Sequence, residues 1–199
     1  MRYGLWLSVM QRLEQELSRK ELQDLRNKRT ALALLQLSWI IVFVVLVLAY
    51  FHIRGLSPTW PPPGVEKQSA VLPTLATIGL IASSILVRRG ATAVKAGRSE
   101  AFVSRWRMVI ALGVVFVLIM IYQFFAAPFD APGQYGVMFR VLIGYHLIHA
   151  LAIGAYLIRV YRQAEQYGPA NFWAVEAGVN LWNFVTVAWI LFYLALYLL

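Results

Sequence analysis

The sequence predicts an all-α fold, an integral membrane bundle of five transmembrane helices with the N-terminus cytoplasmic and the C-terminus outside. Of 199 residues, 60% are hydrophobic and only 14% charged, against roughly 25% charge in an ordinary soluble domain. Five apolar stretches come close to or exceed the roughly 20 residues a helix needs to cross a bilayer core. The basic residues lie between those stretches instead of along one face.

A backbone in lipid must satisfy its own polar groups, so each apolar run reads as a helix. The first covers about 31–51, between Arg29 and Arg54, and the second about 70–87, between Lys67 and Arg88. The third covers about 108–126, between Arg107 and Asp130. The fourth, about 137–158, has Arg140 near its start, where a long side chain snorkels back to the headgroups. The fifth, about 177–199, carries no charge.

Residues 1–30 read as a cytoplasmic amphipathic segment and residues 31–199 as the membrane domain. Leu13, Leu17, Leu22 and Leu25 recur at helical spacing among charged residues, and Ser18 with Glu21 makes a capping pattern. Met1–Met10 lacks a small-residue cleavage site before Arg12, so it is expected to stay on the mature protein.

Charge placement sets the expected orientation. Residues 1–30 hold seven Lys and Arg, the second connection holds six (Arg88, Arg89, Lys95, Arg98, Arg105, Arg107), and the fourth holds two (Arg159, Arg162). The other side has only Arg54 and Lys67. Positive residues stay inside, which puts the N-terminus in the cytoplasm. The net charge of +9 is thus a topology signal and not a nucleic-acid footprint. Cysteine is absent, which excludes disulfides, thiolate metal sites, iron–sulfur clusters and cysteine nucleophiles.

Few residues carry chemistry. His146 and His149 are three apart and share a helix face, while His52 sits at the outer end of the first span. Two histidines on facing helices can hold a haem, but His52 is the lone partner available and lies near the surface. The expectation is that these imidazoles hydrogen-bond between helices or to a neighbouring subunit. Glu176, Asn180, Asn183 and Thr186 recur at about one-turn spacing. Without an ionisable group in mid-membrane, that stripe reads as interhelical glue, with a proton or water path as the other reading. Gly79, Ala82, Ser83 and Ser84, and Ala150 with Gly154, are small enough for close helix approach. The loop Ser57-Pro-Thr-Trp60-Pro-Pro-Pro-Gly64 is stiffened by its prolines, and Trp60 suits the membrane interface. No phosphate loop, hydrolase motif or paired membrane carboxylate is visible.

Several fragments occur together in one order. Ala-Tyr-Phe-His at 49–52, Trp60-Pro-Pro-Pro-Gly64, Leu72-Pro-Thr74 with Ser83-Ser84, Ala127-Pro-Phe129, and Tyr135-Gly136 with Phe139 precede Gly144-Tyr-His-Leu-Ile-His149. Glu176-Ala177 and Trp182-Asn-Phe-Val-Thr-Val-Ala-Trp189 close the series. Over residues 31–199 this resembles subunit III of the haem–copper oxidases, in the five-helix form lacking the first two helices of the long version. Compared with that family, Trp39 and Gln123 stand where glutamates are usual, and Asn183 and Thr186 where a histidine and an aspartate are usual. Four ionisable groups have become neutral, which removes the carboxylates on which a proton-antenna role would rest.

The resemblance implies an accessory, non-redox subunit of a terminal oxidase in a prokaryotic plasma membrane. Haem and copper would sit on partner subunits, with none on this chain. Subunits I and II and bound phospholipid would be its partners, and His52, Trp60, His146, His149, Glu176, Trp182, Asn183 and Trp189 its contact residues. A subunit III-like partner of a nitric oxide reductase or quinol oxidase stays open as an alternative. So does a small transporter or channel, although five spans do not divide into two equal inverted repeats.

Overall fold

A computed structural model describes residues 19–125 and 133–199. Leu13, Leu17 and Ser18 of the capping pattern, the Met1–Met10 segment, Ala127–Phe129 and Asp130 lie outside the described residues. Among the described residues, five helices are long and apolar enough to cross a membrane. They are α1 (Arg19–Gly55), α2 (Val71–Lys95), α3 (Ser99–Phe125), α4 (Gln134–Arg162) and α5 (Trp173–Tyr193), the last continuing through a π turn, Leu194–Leu198.

The chain divides into two units, residues 1–39 and residues 40–199. In the first, the described stretch 19–39 is helical and none of its residues is buried. In the second, α2, α3, α4 and α5 form a ring in which each helix touches its two neighbours. Helix α5 is the most enclosed: 61% of its apolar window is buried, against 28–39% for α2 to α4. The 40–55 part of α1 adds Phe43, Val47 and Tyr50 to the core. The Phe43 ring reaches Tyr145, His146 and His149 of α4, and Phe184 and Phe192 of α5.

The bundle closes by setting indoles on glycines. A Cβ on Gly113 of α3 would lie 2.9 Å from the Trp182 ring, and one on Gly178 of α5 3.2 Å from the Trp106 ring. Trp106 also covers Gly90 of α2, where a Cβ would sit 3.2 Å away. Its indole N–H donates to the Leu157 carbonyl of α4 at 3.0 Å, so one fully buried side chain ties three helices to α3. Gly154 is different. A Cβ there meets nothing within 4 Å, so this residue borders open space instead of serving the close approach expected of it; Ala82 is likewise exposed.

Two connections follow directly from their residues. After α2, Gly97 takes φ +69°, Gly97 N–H donates to Val94 O and Arg98 N–H to Ala93 O. This is a Schellman stop, which favours glycine at the left-handed position. It turns the chain straight into α3. Between α1 and α2, Val65 N–H donates to Pro62 O, with Pro63 and then Gly64 (φ +82°) at the centre of the turn. Proline followed by glycine is what a type II turn selects.

Candidate functional site

Among the described residues, a run of polar side chains lines the seam where α2 and α5 run antiparallel. Thr74 Oγ1 shares a hydrogen bond with Tyr193 OH at 2.7 Å. Trp189 Nε1 donates to Thr77 Oγ1 at 2.8 Å, and Trp182 Nε1 to Ser83 Oγ at 2.8 Å. Ser84 Oγ donates to Asn183 Oδ1 at 3.0 Å and shares a bond with Thr186 Oγ1 at 2.9 Å. At the basic end, Arg88 Nε donates to the same Asn183 Oδ1 at 3.1 Å. From Thr74–Tyr193 through Thr77–Trp189 to Ser83–Trp182 the residue numbers fall on α5 as they rise on α2, so the contacts form a ladder along the two antiparallel helices.

Apart from Arg88, the seam therefore pairs neutral donors and acceptors. Each such bond contributes on average about 0.6 kcal/mol in a membrane bundle, so the ladder as a whole contributes on the order of 3 kcal/mol. It also fixes register, because sliding α2 by one residue would break every rung.

Of the stripe seen in the sequence, Asn183 and Thr186 do face α2 as glue, whereas Asn180 is exposed and Glu176 half-buried in the first turn of α5. Sequence reasoning missed Thr77, Tyr193 and Arg88 as members, and it missed that Trp182 and Trp189 act through their N–H groups. The signal was present: 182, 186, 189 and 193 repeat at helical spacing, as do 74, 77, 84 and 88.

A second cluster surrounds His146. It is 0% exposed, and neither ring nitrogen has a hydrogen-bond partner. Phe43 of α1, Phe116 of α3, and Trp189 and Phe192 of α5 enclose it, with ring centroids 5.4–6.1 Å away. Among the described residues His146 makes no interhelical hydrogen bond, the first of the two alternatives expected of it. His149 takes another route, with Nδ1 2.8 Å from Tyr145 O one turn back on its own helix. His52 is exposed in the last turn of α1. Among the described residues no three of His, Cys, Asp or Glu come together as a metal site.

At the end away from the basic connections, Trp60 donates its indole N–H to Tyr50 OH at 3.0 Å and meets the Tyr135 ring edge-on at 5.1 Å. The proline loop is thereby fastened to α1 and α4. Nearby, Gln123 is 4% exposed and accepts a hydrogen bond from Tyr197 OH. It lines a pocket of about 330 Å³ with Glu66, Lys67, Gln68, Ser69 and Tyr122. A second, apolar groove of about 270 Å³ lies between α3 and α4, bordered by Gly113, Val117, Ala150, Gly154 and Trp182. Trp39, in the first unit, is half-buried.

These features build a mostly neutral bundle. The sequence model of the family described as cytochrome c oxidase subunit III matches residues 15–199. The chain belongs to this family. Among its relatives is cytochrome c oxidase subunit 3 of Synechocystis sp., 31% identical over 164 residues, covering 79% of this chain and 70% of the relative. The subunit 3 proteins of Papio hamadryas and Tragelaphus oryx are 29% and 28% identical over 182 residues, each alignment covering 86% of this chain and 69% of the relative. The subunit III match takes in all five helices, the Trp60 loop, the His146–His149 pair and the Trp182–Trp189 face of the seam.

Proposed function

We propose that this chain is the accessory subunit III of a haem–copper terminal oxidase of the cytochrome c oxidase kind, seated in a prokaryotic plasma membrane beside subunits I and II. It stabilises the catalytic subunit, holds phospholipid, and carries no redox centre of its own. The N-terminus and the basic connections face the cytoplasm, as the placement of fifteen of the Lys and Arg residues favours.

The observation that carries this reading is the subunit III match over residues 15–199. The state of the imidazoles supports it. Phe43, Phe116, Trp189 and Phe192 enclose the His146 ring, so a haem iron has no open approach to its nitrogens and His146 does not fit as an axial ligand. The neutral rungs between α2 and α5 support a structural part, and the apolar groove at Gly154 supports the holding of an acyl chain.

The test is to purify the tagged chain from its own membranes in mild detergent, record a visible spectrum and identify the co-purifying polypeptides. Haem absorbance with a larger catalytic subunit is the expected result. A colourless chain that is alone in every detergent overturns the reading.

A further inference from the structure

Arg88 is held where a cation needs an anion that the described chain does not give it. Side chains on a helix lean toward its N-terminus, which for α2 is away from Lys95 and into the apolar part of the bundle. There Nε of Arg88 meets Oδ1 of Asn183, ten residues into α5 and so about 15 Å along its axis. The partner is a neutral amide, already shared with Ser84. Neighbouring arginines are placed otherwise: Arg105 donates to the Arg89 carbonyl and Arg107 to Tyr161 OH.

The surroundings are divided. Toward the basic side follow Arg89, Thr92 and Lys95. Toward the membrane middle the same face turns apolar, with Ile85 and Ile81 of α2 and Val187 of α5 exposed, Val187 by 66%. Arg88 itself is exposed at that boundary. With Nε and Oδ1 engaged, the groups left over are donors: the two Nη of Arg88 and Nδ2 of Asn183. A cluster rich in donors and poor in acceptors calls for a multi-acceptor anion, and at this depth an anion attached to apolar chains.

We propose that the Arg88–Asn183 corner binds the phosphate of a phospholipid in the leaflet on the Lys/Arg-rich side, with the acyl chains lying along Ile85, Ile81 and Val187. This deepens the lipid-holding part of the function above and rests on that part alone. It does not depend on which catalytic subunit is the neighbour.

Native mass spectrometry of the full chain, purified with whatever accompanies it, tests the corner by counting retained lipid after titration with phosphatidylglycerol. Arg88→Gln should lower occupancy by about tenfold, the loss expected from one charge-assisted contact. Arg88→Lys, which preserves the charge and guards against misfolding, should retain most of it, and Arg105→Gln should change nothing. Diacylglycerol, which lacks the phosphate, should not bind at this corner. Equal occupancy in Arg88→Gln and the parent overturns the proposal. So does displacement of the lipid by millimolar inorganic phosphate, which would make this a free-anion site. Loss of a co-purifying polypeptide from Arg88→Gln with lipid unchanged would make the corner a protein contact and also overturn it. A parent chain that retains no phospholipid at all contradicts lipid holding as a whole, while the spectrum and co-purification report separately on the oxidase.

Discussion

The indole N–H of Trp189 donates to Thr77 Oγ1 at 2.8 Å, and that hydroxyl donates in turn to the Pro73 carbonyl at 2.7 Å. Thr77 thus extends a hydrogen-bond chain from α5 into the backbone of α2 without any charge being buried. The rungs on either side, Thr74–Tyr193 and Ser83–Trp182, use the same kind of neutral hydroxyl. A double-mutant cycle with Thr77→Val and Trp189→Phe isolates this rung. The expected coupling is about 0.6 kcal/mol and no more than roughly 1.7, measured by denaturant unfolding in micelles. A coupling of zero would mean that packing alone holds the seam.

His146 leads to a prediction of unusual sign. A buried polar group with no partner costs about 1–3 kcal/mol, and replacing it by an apolar group of similar shape removes that cost. Leucine is close in volume to histidine and has nothing to satisfy. Within the cage of Phe43, Phe116, Trp189 and Phe192, His146→Leu should therefore leave the thermal midpoint in detergent unchanged or raised. A marked fall would mean that a polar partner reaches the ring in the membrane.

The two kinds of glycine in the bundle can be separated by one methyl group each. On Gly113 the added Cβ lies 2.9 Å from Trp182, whose ring is fully buried and tethered to Ser83, so it has little room to yield. Overpacking of this sort costs about 1–3 kcal/mol. On Gly154 the methyl meets nothing within 4 Å, and alanine is the better helix former by up to about 1 kcal/mol. Gly113→Ala should lower the thermal midpoint clearly, and Gly154→Ala should leave it level or raise it slightly. Equal effects would contradict the placement of Trp182 over α3.

What could be read from the sequence and what could not divide along one physical line. Hydropathy marks where lipid is, so the five spans were legible. It does not mark where a helix ends: α1 is already helical at Arg19, the first described residue, and α5 at Trp173, ahead of the apolar runs starting at 31 and 177, and in α1 this is because Arg, Lys, Leu and Glu form helix well in water. At the seam, Asn183 and Thr186 were legible because their polarity is unmistakable. The hydrogen-bonding roles of Trp182, Trp189, Tyr193 and Tyr197 were not, although the helical spacing of 182, 189 and 193 was visible, since an indole or a phenol counts as apolar bulk until its N–H or O–H is given a partner. The cage around His146 was out of reach as well. It draws Phe43, Phe116, Trp189 and Phe192 from three helices widely separated in sequence, and no spacing rule connects them.

Gln123 and Tyr197 share one hydrogen bond but should respond unequally to its loss. The Tyr197 hydroxyl is buried and donates to Gln123 Oε1. Gln123→Leu takes away that acceptor and leaves the hydroxyl without a partner, at a cost of about 1–3 kcal/mol. Tyr197→Phe instead leaves the amide of Gln123, which borders the polar pocket lined by Glu66, Lys67, Gln68 and Ser69. Water entering that pocket can replace the lost donor, so the cost should stay near the ordinary net value of about 1 kcal/mol. Unfolding midpoints of the two single variants and the double variant decide the matter. The double variant should be milder than Gln123→Leu alone, because it strands no buried hydroxyl. If Tyr197→Phe proves the more damaging change, the pocket does not hydrate Gln123 and the asymmetry is lost.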